Sequence, residues 1–280
     1  MRHSRGLIIA IAVISFILSI GAVVYPIISD HIARQQQKEI VQNTTKQMTE
    51  VSAEERRAAI AEAVAYNQTL LPGAAVAHDY AAYQRLLNLN VDGIMGVLEI
   101  PCIDVTLPVY HGTSSETLQK GIGHLYGSSL PVGGMGSHVA VSGHSGMAGN
   151  RMLSDLDQME KGDLFSFQVM GETFTYQVDQ IKIVLPDEVS DLAIDPSRDY
   201  ATLITCTPFS INTHRLLVRG VRVPTPTKAE ERVVTGQKNA ATSTWTKQYL
   251  RGLLLGGGIG GGMLLLFFLF CCLKKRKAVR

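Results

Sequence analysis

Residues 6–29 form one uncharged apolar run and residues 252–273 a second. Each is long enough to cross a hydrocarbon core, which needs about 20 residues. Between them, residues 30–68 are polar and alanine-rich, with no glycine or proline, and "EERRAAIAEAVAYNQTL" repeats its apolar positions every three to four residues. That spacing predicts one or two helices, acting as a stalk or a brace. Pro72 and Gly73 break the period, so 71–82 reads as a loop. From Ile94 the texture changes to short runs of β-branched and aromatic residues separated by Gly, Pro, Asn and Asp: "IMGVLEI", "IDVTLPVY", "HVAVSG", "LFSFQVM", "TFTYQVDQIKIVL", "ATLITC" and "RLLVRGVRV". Such runs at regular spacing predict a mostly β unit, a barrel or a sandwich. Gly171 and Glu172 mark a hairpin turn, residues 151–163 a short helix or turn, and 224–251 a polar linker.

Charge orients the two apolar runs. Arg2, His3 and Arg5 precede the first, while Lys274, Lys275, Arg276, Lys277 and Arg280 follow the second. The positive-inside rule therefore puts both termini in the cytoplasm and the intervening 220 or so residues outside. A signal peptide cut near Ser19-Ile20-Gly21 competes for the first run. A lipid-anchor or cell-wall sorting tail competes for the second, although no Leu-Pro-x-Thr-Gly precedes it. The glycines at 256–262 are tolerated in membrane helices. A net charge of +2, with 18% charged residues, offers nothing to a nucleic-acid partner.

The chain has four cysteines. Cys271 and Cys272 sit at the cytoplasmic end of the second run, as acylation sites or as small hydrophobes. Cys102 and Cys206 lie in the outer part. Joined as a disulfide, they would describe a membrane-anchored β-domain used for adhesion or scaffolding. Unjoined, Cys206 is a candidate nucleophile, because "TLITCTPFSINTHR" ends a strand-forming run on it and supplies cations soon afterwards. A thiol of pKa about 8.5 needs positive neighbours to become a thiolate near neutrality. Arg215 is one candidate neighbour if "TLITC" and "HRLLVRG" pair, but alternation puts Arg219 on the same face and Arg222 on the other, so position does not choose between 215 and 219. An acid/base histidine is needed too. Among His78, His111, His124, His138, His144 and His214, the chemically distinctive one is His144, set within Ser142-Gly143-His144-Ser145-Gly146 after a strand. Its rival reading is a polar turn residue. Zinc held by His124, His138, His144 and Cys206 lacks any Cys-x-x-Cys or His-Glu-x-x-His pair, so no metal or cofactor is expected.

"SGH" at 142–144, "TLITC" at 202–206 and "HRLLVRG" at 214–220 together resemble the sortases, membrane-anchored cysteine transpeptidases of Gram-positive bacteria. "GVLEIPCIDVTLPVYHGTS", "KGIGHLYGSSLPVGG" and "TCTPFSINTHRLLVRG" resemble the pilin-polymerising class C branch, over roughly residues 66–223. The resemblance implies a closed sortase-type β-barrel of about eight strands at 94–223, after a helical stalk and short loop at 30–93. Around these would stand a cytoplasmic N-terminus at 1–6, spans at 7–28 and 252–273, the linker at 224–251 and a basic tail at 274–280.

The resemblance also implies Cys206 as nucleophile, His144 as acid/base and Arg215 as the residue that steadies the oxyanion. Thr205 would sit in the substrate pocket, its alternative being a plain strand former. The substrates would be pilins or surface proteins with Leu-Pro-x-Thr-Gly-like signals, cut between Thr and Gly. The acceptor would be a pilin lysine, or a peptidoglycan amine in a wall-anchoring sortase. The class C branch usually covers its site with a lid of Asp-Pro and an aromatic residue. Here the loop is short and reads His78-Asp79-Tyr80, so Asp79 and Tyr80 are the candidate lid residues and an open site is expected.

Overall fold

The computed structural model describes residues 2–71, 79–90, 92–146, 149–227, 243–244 and 246–254. Two compact units divide the chain, residues 1–23 with 242–280, and residues 24–241. Helix α1 (Arg2–Glu50) is a continuous 49 residues with Pro26 inside it. Its apolar stretch leaves Phe16, Leu18 and Tyr25 about two-thirds exposed. Among the described residues it is the one helix long and apolar enough to cross a membrane. The second apolar run lies almost wholly outside the described residues, so a second span rests on sequence alone.

Helix α2 (Ala53–Thr69) begins where Ser52 and Glu55 form a capping box: the Glu55 N–H donates to Ser52 Oγ at 3.2 Å, and the Ser52 N–H donates to Glu55 Oε2 at 3.2 Å. The reciprocal cap satisfies two of the helix's free N–H groups, which is why the chain stops one helix at Glu50 and starts another. Within the larger unit, α1 is a brace. Asp30, Gln37, Thr44 and Met48 are buried against the domain, and Asn90 Nδ2 donates to Gln47 Oε1 at 2.6 Å.

The strands are β1 (Ile94–Ile100), β2 (Val105–His111), β3 (Ile122–His124), β4 (Ser137–Ser142), β5 (Leu164–Val169), β6 (Glu172–Val184), β7 (Asp199–Thr207) and β8 (His214–Arg222). Short helices α3 (Tyr80–Arg85) and α4 (Ser115–Lys120) precede β1 and β3. The strands close into a barrel in the order β1-β2-β3-β4-β7-β8-β6-β5, with β5 returning to β1. The β2–β3 and β4–β7 pairs are parallel. Met170 and Gly171, at φ 50° and 78°, make the two-residue turn between β5 and β6, one residue earlier than the sequence marks it. Residues 156–158 form a single 3₁₀ turn inside the segment expected to hold a short helix or turn.

Alternation along β7 and β8 divides their side chains between two surfaces. Ala201 and Leu203, with Leu216 and Val218, enter the main core beside Phe165, Phe167 and Tyr176. The Phe165 and Tyr176 rings stack at 5.6 Å. Gly220 permits that packing, since a Cβ there would meet Phe165 Cε1 at 2.7 Å. The opposite surface carries Ile204 and Leu217, which form a smaller cluster with Ala140 and Val184. Cys206 and Arg215 fall on this outer surface.

Candidate active site

The β7–β8 register places Cys206 directly opposite Arg215. Arg219 lies on the same face but opposite Thr202, and its guanidinium is already engaged: Nε and Nη2 donate to the two Asp179 carboxylate oxygens at 3.1 and 2.7 Å, and the group lies 4.2 Å over the Tyr200 ring. The Asp179 hydrogen bonds hold it still more firmly in its charged form. Among the described residues, Arg215 bonds to nearby carbonyls of its own turn, through Nη1 to Asn212 and His214 at 3.2 and 3.1 Å. By register, then, Arg215 is the arginine that stands opposite Cys206.

His144 reaches the same place through the parallel β4–β7 pair, in which Ser142 stands opposite Ile204. The turn following β4 is strapped to β7 at three points. The Gly143 N–H donates to the Ile204 carbonyl at 3.0 Å, Thr205 Oγ1 donates to the Gly143 carbonyl at 2.8 Å, and Ser145 Oγ donates to the Cys206 carbonyl at 2.6 Å. Any Cβ at residue 143 would lie 2.6 Å from Ile122 Cδ1, so glycine is needed there for close approach. Cys206, His144 and Arg215 are all half-buried. Among the described residues, the His144 ring makes no hydrogen bond and neither Cys206 nor Cys102 is in a disulfide.

The disulfide reading therefore fails. Cys102 sits in the 3₁₀ turn between β1 and β2, packed on the main core, and β3 and β4 intervene before β7. At about 4.8 Å per strand that separation exceeds the reach of a disulfide. No cluster of three metal-ligating side chains occurs among the described residues.

Thr205 is 3% exposed and its hydroxyl faces Gly143, so it supports the His144 turn from beneath. Asp79 caps α3 by accepting the Ala81 N–H at 2.9 Å. The Tyr80 ring packs edge-on to Tyr126 at 5.0 Å. Neighbouring Leu125 is level with Ala140 and hence with Thr202, four residues, or about 13 Å, short of Cys206 along β7. Residues 72–78, including His78 of the candidate lid loop, lie outside the described residues. Sequence reading passed over Ser145, although a hydroxyl residue next to a candidate histidine is a usable signal for a backbone strap.

The arrangement brings a half-exposed thiol, an imidazole with unengaged nitrogens and a guanidinium to one rim of a barrel, which suits nucleophilic acyl transfer. A Sortase domain model matches residues 98–223. The sortase C1 structure from Streptococcus agalactiae is 42% identical, covering 67% of this chain and 100% of that one, with a TM-score of 0.64.

The chain belongs to the sortase family.

Sortases are cysteine transpeptidases. The sortase C structure from Streptococcus pneumoniae, whose published description concerns catalysis and pilin substrate specificity, is 39% identical, with a TM-score of 0.62 and coverage of 67% and 97%. Sortase D of Bacillus subtilis (strain 168) is 33% identical over 115 residues, which is 41% of this chain and 55% of that protein, so this sortase spans about half the length of that relative. The structural likeness to class C enzymes agrees with the branch read from the sequence motifs.

Proposed function

We propose that this sortase polymerises pilins. Cys206 Sγ attacks the Thr carbonyl of a Leu-Pro-x-Thr-Gly-like sorting signal, the Thr–Gly bond breaks, and His144 delivers a proton to the departing Gly amine. A lysine amine of another pilin subunit then attacks the Cys206 thioester. His144 takes the amine proton, an isopeptide bond forms and the thiol is restored. Arg215 donates hydrogen bonds to the carbonyl oxygen as it becomes an oxyanion, a preorganised contact of the kind that contributes most when charge develops.

The observation that carries this reading is the register Cys206↔Arg215, with the His144 turn strapped to the same strand end. Exposed apolar side chains stand close by: Ile183 and Leu185 flank Val184, the residue opposite Arg215, and Val189 and Ile211 lie in the loops on either side. They supply a surface for the apolar Leu-Pro portion of a signal. The proposed layout has the domain outside the cell, anchored by α1 and by a second span at 252–273, with both termini cytoplasmic. Asp79 and Tyr80 are read as the cap and first residue of α3 and not as a lid, leaving the site open.

The test incubates the full chain in detergent with a sorting-signal peptide and two acceptors, a pilin-derived lysine peptide and a peptidoglycan-type amine. A thioester on Cys206, seen by intact mass, followed by transfer to lysine is the expected result. Transfer to the peptidoglycan amine alone would replace pilus assembly with wall anchoring. No acyl-enzyme with any signal peptide would sink the transpeptidase assignment.

A further inference from the structure

The His144 turn is held by β7 on one side and by α1 on the other, and α1 lies entirely outside the segment matched by the sortase domain model. The hold centres on Asp30, which is 5% exposed. Its Oδ1 accepts the Arg151 N–H at 3.0 Å, and its Oδ2 pairs with Arg151 Nε at 3.2 Å and with Arg34 Nε at 3.1 Å. Arg34 reaches on to Asp104 at 3.7 Å. On either side of this contact α1 grips the same loop. A Cβ at Gly149 would clash with the Ser29 side chain, and Gln37 Nε2 donates to Asn150 Oδ1 at 3.5 Å and approaches Met152 Sδ at 3.4 Å. The next residue, Leu153, donates its N–H to the His144 carbonyl at 3.0 Å, and Ser154 Oγ accepts the Gly146 N–H at 3.0 Å.

Docking a helix needs only apolar contact, and burying a carboxylate is unfavourable unless charged donors surround it. Here the donors do surround it, and two of its contacts fall on one residue of one loop. The Arg151 N–H bond is directional and fixes where the loop stands, while the two guanidinium contacts are ion pairs that hold the helix against the domain.

We infer that Asp30 is a positioning residue for His144, setting the His144 turn against Cys206 through Arg151 and Leu153. This rests on the reading of Cys206 and His144 as nucleophile and acid/base. It makes the segment just beyond the apolar run of α1 a part of the site, although that segment never touches substrate.

The experiment uses the full chain in nanodiscs, with Cys102, Cys271 and Cys272 replaced by serine, and reads two quantities. One is the pH profile of Cys206 alkylation by iodoacetamide, with His144→Ala as the reference for a lost imidazole. The other is kcat and KM for sorting-signal cleavage. Asp30→Ala is expected to move the labelling profile toward that of His144→Ala and to lower kcat about tenfold with KM within about twofold, since small misplacements of a reacting group cost rate more than binding. Arg151→Ala should do the same, and the double variant should be no worse than either single, as expected for residues acting through one contact.

Asp30→Asn retains an oxygen for the Arg151 N–H and guards against simple misfolding; a smaller shift in the same direction, at an unchanged melting temperature, supports the inference. Glu39→Gln, exposed on the same helix, should match wild type. A wild-type profile and kcat in Asp30→Ala would overturn the inference, as would losses that add with those of Arg151→Ala. If His144→Ala itself leaves labelling unchanged, the proposed site falls and the inference with it. A His144-dependent profile that Asp30→Ala disturbs, in a protein that cleaves no sorting signal, upholds the inference and removes only the substrate assignment.

Discussion

The two ends of the barrel use the same residue types to opposite effect. At the end where β2 and β3 finish, polar side chains are buried and saturated. His124 is completely buried, with Tyr83 Oη at 2.9 Å from Nδ1 and the Ser129 carbonyl at 2.8 Å from Nε2. His111 lies between the Gly93 and Leu86 carbonyls, to one of which its neutral ring can donate, and His138 lies between the Ala193 carbonyl and Thr202 Oγ1. Burial pushes all three histidines below the ordinary imidazole range, His124 to about 4. At the other end, His144, Cys206 and Arg215 are half-buried and, among the described residues, their strong contacts are to backbone. A histidine whose nitrogens are both engaged acts as a strut, while one with free nitrogens can move protons. The difference lies in how completely the surroundings satisfy the ring.

The comparison is broken most directly at the reactive end. Cys206→Ala should abolish signal cleavage and His144→Ala should lower it about 10²–10⁴-fold, with Cys102→Ala close to wild type, as read by peptide cleavage. Appreciable turnover in Cys206→Ala would move the nucleophile elsewhere. Arg215→Lys comes next. It keeps the charge but loses the planar pair of donors, and about 10²–10³ in kcat is expected to go with it. Near-normal turnover in Arg215→Lys, with a loss in Arg219→Lys, would transfer the oxyanion role to Arg219.

The saturated end should answer in stability while leaving turnover alone. The folded-state pKa of His124 is lowered from 6.5 to about 4, so its contribution is complete above about pH 6.5 and is lost as pH falls toward 4. That amounts to about 3 kcal/mol, with His111 and His138 acting in the same sense. Denaturant midpoints between pH 7.5 and 4.5 measure it, and His124→Gln should flatten the dependence. Tyr83→Phe strands the Gly112 N–H, which donates to Tyr83 Oη at 3.1 Å, and leaves His124 Nδ1 without its partner. A loss of about 1–3 kcal/mol with kcat unchanged is expected. A large fall in kcat there would show that the two ends are not independent.

The smallest effect is expected from Asp79→Ala/Tyr80→Ala, since Asp79 caps α3 and Tyr80 packs on Tyr126. Labelling of Cys206 should change by less than tenfold. A larger rise would mean that this loop had been closing the site at a cost of about 1.4 kcal/mol.

By itself the sequence marked seven of the eight strands and the helical character of residues 30–68, because local alternation and three-to-four spacing are written into neighbouring residues. It passed over the three-residue β3 and the six-residue α3 and α4, which are too short to show a period. It also singled out Cys206 and His144 as candidates, since Cys206 ends a strand run followed by cations and His144 stands in a glycine-bounded turn, while leaving a disulfide and a plain turn histidine open as alternatives. The break between α1 and α2, set by the Ser52–Glu55 cap, was not read from the period, which left one helix or two open. The pairing that unites the site was not legible in the same way. Whether Arg215 or Arg219 faces Cys206 depends on register, and register is decided by which side chains the whole barrel can bury. Thr205 meets the Gly143 carbonyl across 62 positions of sequence and Asp30 meets Arg151 across 121. Contacts at such separations have no local signature, because they form only when closure of the β-barrel and docking of α1 bring distant backbone groups within hydrogen-bond reach.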